Sequence, residues 1–265
     1  MKNIQTANRI VVKIGTSTLT YENGKPNLRR LDEICRVISD LHNAGKEIAI
    51  VSSGAIAVGF GKLSMSSRPT GTEEKQAVAA IGQCELMFMY DKFFSEYNQV
   101  VAQILLTKNV TDRSRRNVRN TFQELFRMGA VPIINENDTV ETAELEGSRY
   151  GDNDMLSAIV SELIQADALV IFTDTDGLYD ADPHGNPDAS VISEVTAVTD
   201  EIRCMACGSA SNRGTGGMST KLHAAEFATA HGIPAYIVNG SQPTNLYRLL
   251  NGEKIGTHFP APIMH

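Results

Sequence analysis

The chain has 265 residues, 42% of them hydrophobic and 21% charged, and carries a formal net charge of −7 with a sequence pI of about 5.4. That length and apolar content suit one large α/β domain or two small ones, and the acidic balance excludes a surface built to neutralise nucleic-acid phosphates. No apolar run reaches the roughly 18 to 20 residues of a membrane helix, and the opening MKNIQTANRIVVKIG has no secretory pattern, so a soluble, cytoplasmic protein with no nucleic-acid or membrane partner is expected.

In chain order, strands are expected at Arg9–Gly15, Glu47–Ser52, Val100–Leu106, Ala130–Ile134, Ala168–Thr173 and Ile233–Asn239. Several are nearly continuous apolar runs, as in parallel strands covered on both faces. Helical periodicity fills the gaps at Arg29–Ala44, Glu73–Glu96, Ser114–Met128, Asp152–Gln165 and Ser219–His231, and Gly45, Gly129 and Gly232 stand just past three of these helices, where a left-handed residue is favoured. Strand–helix–strand alternation predicts right-handed βαβ units in one continuous α/β fold spanning residues 1–265. Cys35, Cys84, Cys204 and Cys207 are too scattered for a disulfide framework, and the single C-x-x-C lacks a second ligand pair for zinc.

In open parallel sheets ligands gather at the carboxyl ends of the strands, and here those ends are polar and glycine-rich. Lys13-Ile14-Gly15-Thr16-Ser17 closes the first strand with a cation beside a glycine, and Ser52-Ser53-Gly54 follows the second with hydroxyls at a helix start. A snorkelling lysine and a plain helix cap explain each of these equally well. Asn135-Glu136-Asn137-Asp138-Thr139 follows the fourth strand, and Gly151-Asp152-Asn153-Asp154 opens the next helix. Acids at a helix start are favoured by the dipole alone, but two Asn/Asp clusters so close together also suit gripping an ammonium, holding a metal or orienting a lysine. Thr173-Asp174-Thr175-Asp176-Gly177 reads either as a turn or as the edge of a nucleotide pocket. Arg213-Gly214-Thr215-Gly216-Gly217-Met218-Ser219-Thr220-Lys221, leading into a helix, carries the strongest local signal, a backbone cradle with a mobile cation. It matches neither a P-loop nor a dinucleotide fingerprint.

Together VVKIGTS (11–17), IVSSGAIAVG (50–59), VPIINENDTV (131–140), GDNDMLSA (151–158), TDTDGLYDADP (173–183) and GTGGMSTK (214–221) resemble the amino-acid kinase family, and within it the members that phosphorylate a side-chain carboxylate of glutamate. The resemblance covers nearly the whole chain. It implies a three-layer α/β/α sandwich with an open, mainly parallel sheet, ATP over one half and glutamate over the other, Mg²⁺ accompanying ATP, and a step in proline biosynthesis. It also implies a homo-oligomer, dimer or tetramer, and feedback inhibition by proline. By motif position, Lys13, Thr173, Asp174, Thr215, Gly216, Gly217, Met218, Ser219, Thr220 and Lys221 fall on the ATP side. Ser53, Asp138 and Asn153 fall on the glutamate side, and Asp154 orients the catalytic Lys13 and Lys221. Two departures from the pattern stand out. No counterpart of the C-terminal PUA-type domain of many bacterial members is expected, and Arg149 stands where a lysine is common. An acceptor carboxylate is already ionised at neutral pH, its ordinary pKa being about 4.3, so no general base is required. The remaining readings are another kinase of the same fold, or a sensor that binds an amino acid without turnover. Arg113, Arg115, Arg116 and Arg119 then read as a solvated face or subunit contact.

Overall fold

A computed structural model describes residues 3–107, 112–140, 153–183, 185–207 and 217–262. The strands are β1 (Arg9–Ile14), β2 (Glu47–Ser52), β3 (Val100–Leu106), β4 (Ala130–Glu136), β5 (Ala168–Thr173), β6 (Ala235–Asn239) and β7 (Thr257–Phe259). They form a seven-stranded sheet of order β3-β4-β2-β1-β5-β6-β7, parallel throughout except for antiparallel β7. The helices are α1 (Thr16–Leu19), α2 (Leu28–Asn43), α3 (Ala55–Lys62), α4 (Thr72–Glu96), α5 (Asp112–Arg127), α6 (Asn153–Leu163), α7 (Asp200–Cys207), α8 (Met218–Ala230) and α9 (Asn245–Leu250). Among the described residues no helix is long and apolar enough to cross a membrane.

The period-2 alternation of a strand assigns each side chain to a layer. Ile10, Val12 and Ile14 of β1 pack with Leu31, Ile34 and Ile38 of α2, Leu86 and Tyr90 of α4, and Leu246 and Leu249 of α9. Val11, between them, packs on the opposite face with Phe122 of α5, Leu156 and Val160 of α6, and Leu222 and Ala225 of α8. The result is the expected three-layer sandwich. The same parity sends Lys13, two residues after Val11, toward α6 and α8. β1 is central, with Lys13 opposite Val51 of β2 on one side and Ile171 of β5 on the other. Flanked by strands and covered by helices, Lys13 is only 6% exposed.

The sequence-based elements recur with shifted ends. β4 runs on to Glu136, two residues past the expected Ile134, because its full length pairs with β3 from Ala130–Val100 to Glu136–Leu106. β6 begins at Ala235 rather than Ile233; Pro234 has no N–H to give the ladder, though its carbonyl accepts from Leu169 at 3.0 Å. Asp152, the expected start of α6, lies outside the described residues. Gly45, Gly129 and Gly232 take φ of +89°, +70° and +74° at the ends of α2, α5 and α8, as their placement predicts. α1, α7, α9 and β7 have no periodic signal because each is too short to show one.

The central strands carry the core. Replacing Ile50, fully buried on β2, by Ala is expected to cost about 2–5 kcal/mol. Val100→Ala, at a side chain 67% exposed on the sheet edge, stays within about 0.5 kcal/mol. Urea unfolding monitored by circular dichroism measures both.

Candidate active site

The parity of β1 and the start of α6 meet at one buried carboxylate. Asp154, 1% exposed, receives Lys13 Nζ on Oδ1 at 2.7 Å and Lys221 Nζ on Oδ2 at 3.2 Å. The Thr220 hydroxyl donates to Oδ2 at 2.6 Å. Lys221 is also only 6% exposed. The three side chains come from β1, the first turn of α6 and the first turn of α8, and their proximity follows from α6 and α8 lying side by side over β1. Burial alone would raise the Asp154 pKa, but the two ammonium groups and the two hydrogen bonds outweigh it and hold the carboxyl at about 2. Two ammonium groups converge on one carboxylate, nearly dry, at the carboxyl edge of the sheet. Paired ammonium groups there suit an anion, and the first turn of α8 adds N–H groups and positive dipole on the same side.

On the other side of Asp154 lies a network of neutral polar groups. Asn153 Nδ2 donates to the Ser52 carbonyl and to Ser53 Oγ, both at 3.1 Å, and to Asn135 Oδ1 at 3.0 Å. Ser53 is held at the end of β2 by its N–H donating to the Ile14 carbonyl at 2.9 Å. The Ser52 hydroxyl meets Tyr90 OH at 3.0 Å, which anchors the strand end to α4. Asn135 and Asn153 are both buried. Asp138 sits two residues past β4, half-buried in the turn that begins there.

Of the residues expected on the ATP side, Thr173 is buried at the end of β5, its hydroxyl donating to Asp174 Oδ1 at 3.2 Å and its carbonyl accepting from Gly240 at 2.8 Å. Asp174 itself is exposed. Gly217 precedes α8 with extended backbone (φ −80°, ψ −171°), Met218 is buried behind it, and Ser219 and Thr220 are half-buried. The Thr220 hydroxyl, in the run expected on the nucleotide, is bonded to Asp154 and so takes part in the lysine clamp. Thr215 and Gly216 lie outside the described residues. Arg115 and Arg119, expected to belong to a solvated face or subunit contact, are half-buried. Arg115 pairs with Glu162, and Arg119 Nε donates to the Leu163 carbonyl at 3.1 Å, so both tie α5 to the end of α6. Spacing alone does not reveal that. Gln83, which donates nothing in sequence to suggest a site, lies mid-helix on α4 and accepts from Asn135 Nδ2 at 2.7 Å.

The amino acid kinase family model matches residues 8–239. The chain belongs to the amino acid kinase family. A glutamate 5-kinase of Clostridium perfringens is 54% identical over 263 residues, 98% of each chain. One from Listeria monocytogenes is 50% identical over 261 residues, 97% of this chain and 95% of its own. Among solved structures, a UMP kinase from Bacillus anthracis superposes with a TM-score of 0.64 at 17% identity, covering 98% of this chain and 99% of its own. An isopentenyl phosphate kinase gives 0.66 at 18%, covering 95% and 99%. These two share the fold of this family member.

Asp154→Asn removes the charge that both lysines share. The variant is expected to lose about 3–5 kcal/mol of stability at neutral pH, the cost of breaking a buried ion pair. Its pH dependence should change as well. With a folded-state pKa near 2, below the usual 3.8, wild-type Asp154 contributes stability that is complete above about pH 4 and lost as pH falls toward 2. Acid unfolding of Asp154→Asn between pH 4 and 2 should therefore be shallower than that of wild type.

Proposed function

We propose that this chain transfers the γ-phosphoryl group of ATP to the γ-carboxylate of L-glutamate, giving L-glutamyl 5-phosphate and ADP, the first step of proline biosynthesis. The observation that carries the reading is the buried Lys13–Asp154–Lys221 clamp, whose two ammonium groups stand at the strand ends beside a patch of neutral amides and hydroxyls. The 50–54% identity to glutamate 5-kinases over nearly the full length supports glutamate as acceptor.

In this reaction a γ-carboxylate oxygen forms a bond to the γ-phosphorus while the bond from that phosphorus to the β,γ-bridging oxygen breaks, its electron pair leaving with ADP. The nucleophile is ionised before it arrives, so no proton moves. What remains is to bring two anions together and to stabilise charge on the transferring group. Lys13, at the end of β1 between the two halves of the sheet, is read as meeting the transferring phosphoryl. Lys221, with the N–H groups opening α8, is read as meeting the phosphates on the ATP side, to which motif position also assigns Thr173, Asp174 and residues 215–220. Asp154 positions both ammonium groups and keeps them from turning to solvent. On the acceptor side Ser53, Asn153 and Asp138 supply a hydroxyl, an amide and a carboxylate for the ammonium and α-carboxylate of the amino acid.

Mg²⁺ fits this site only as a passenger of the nucleotide. Among the described residues no three His, Cys, Asp or Glu side chains converge on one point, and both Asp154 oxygens are taken by lysines. The ATP phosphates would hold the ion, which supplies further neutralisation of their charge. A nucleoside monophosphate acceptor is disfavoured because Arg115 and Arg119 are committed to α6. Self-association is read from exposed apolar side chains on two neighbouring elements at one sheet edge, Ile81 and Phe88 of α4 and Leu105 of β3.

With ATP, Mg²⁺ and hydroxylamine present, an acyl phosphate is trapped as its hydroxamate. Glutamate is expected to give by far the strongest colour among candidate acceptors; silence with every acceptor would establish the non-catalytic sensor instead. Lys13→Ala and Lys221→Ala should each lower kcat by about 10²–10³, as the loss of one preorganised donor to a transferring group does. Asp138→Ala should raise the glutamate KM while leaving the ATP KM within about twofold. Equal loss for both substrates would reassign Asp138 to folding.

A further inference from the structure

The amides on the acceptor side form a chain whose direction the backbone dictates. The Glu136 N–H donates to Asn135 Oδ1 at 2.8 Å, and an N–H cannot accept. That contact turns Asn135 Nδ2 the other way, onto Gln83 Oε1 at 2.7 Å. At the far end the Ser52 carbonyl, which cannot donate, receives Asn153 Nδ2 at 3.1 Å, and the same nitrogen donates to Asn135 Oδ1 at 3.0 Å. Each amide thereby has one orientation. The chain also joins the two helix layers, since Gln83 belongs to α4 on one face of the sheet and Asn153 to α6 on the other.

Two atoms of these three amides are buried with no hydrogen-bond partner among the described residues, Asn153 Oδ1 and Gln83 Nε2. Buried polar atoms in native proteins are almost always paired, and an unpaired one costs about 1–3 kcal/mol. The orphan at Asn153 is an acceptor, next to Asp154 and the lysine clamp, and it is an acceptor only because Asn153 Nδ2 is already bound on its other side. The donor that an amino-acid substrate brings is its ammonium.

We propose that Gln83 is a positioning residue for the acceptor substrate. By accepting from Asn135 it keeps the Asn135 oxygen on Asn153 Nδ2, and so keeps the Asn153 oxygen as the acceptor for the substrate ammonium. Gln83 thus sets the preference for an amino acid over the same dicarboxylic acid without the amino group. This rests on the glutamate-kinase reading above. No covalent change occurs at Gln83.

The test compares glutamate with glutarate as acceptors in wild type, Gln83→Met, Gln83→Glu and Gln83→Asn. Gln83→Met keeps the length and packing but has no atom to accept from Asn135. It should raise the glutamate KM about tenfold, leave the ATP KM within about twofold, and shrink the kcat/KM preference for glutamate over glutarate by a similar factor. Gln83→Glu keeps an oxygen facing Asn135 and should retain most of that preference. Gln83→Asn, one methylene short, should lose it, and it carries the test if Gln83→Met fails to fold. A preference unchanged in both Gln83→Met and Gln83→Asn, with only the melting temperature lowered, overturns the proposal. Wild-type enzyme inactive on glutamate would instead overturn the functional reading beneath it.

Discussion

A buried carboxylate shared by two lysines is the contact on which the rest of this molecule turns. Asp154 is almost wholly buried, and burial opposes its ionisation; only the ammonium groups of Lys13 and Lys221 and the Thr220 hydroxyl reverse that balance. Each lysine is likewise buried and depends on the carboxylate. None of the three is tolerable without the others, so β1, α6 and α8 are locked at their site-facing ends by an interaction that is poor as a stabiliser and well suited to presenting a fixed positive charge.

The fold makes this possible through simple parity. A period-2 strand puts Lys13 on the same face as Val11, and right-handed crossovers put α6 and α8 over that face. The starts of both helices then lie at the carboxyl edge of the sheet. There the dipole of α8 favours an anion, while the N-terminal placement of Lys221 would be unfavourable by itself and is compensated by Asp154. The opposite half of the sheet carries the carboxylates of Glu136, buried at the end of β4, and of Asp138. Ser52, Ser53, Asn135 and Asn153 form a neutral hydrogen-bonded surface there, and the division between a cationic half and an amide-lined half matches two substrates of different chemistry, one dominated by phosphates and one carrying an ammonium.

Much of this was legible in the chain because the signals are local. Six strands, the five longer helices and the polar runs after the strand ends can be read from periodicity and glycine placement, and Lys13, Asp154 and Lys221 were placed together by motif. What escaped was long-range or too short. Gln83 is an ordinary polar residue in a 25-residue helix, and its role depends on a partner 52 residues away. Arg115 and Arg119 form a basic stripe in sequence, and their contacts to α6 depend on residues more than 40 positions away. The three residues of β7 pair antiparallel with β6 and are too few to alternate visibly. Thr220 sits inside a glycine-rich motif that reads as a phosphate cradle, and only the position of Asp154 shows which way its hydroxyl turns.

The most direct measurement is a crystal structure with glutamate, Mg²⁺ and a non-hydrolysable ATP analogue bound. The predicted result has Lys13 Nζ and Lys221 Nζ both within about 3.2 Å of phosphate oxygens, the length of a hydrogen bond, while each still touches Asp154. A structure in which either ammonium group turns away from the phosphates, or in which Asp154 releases both lysines to bind the metal, would contradict the shared clamp.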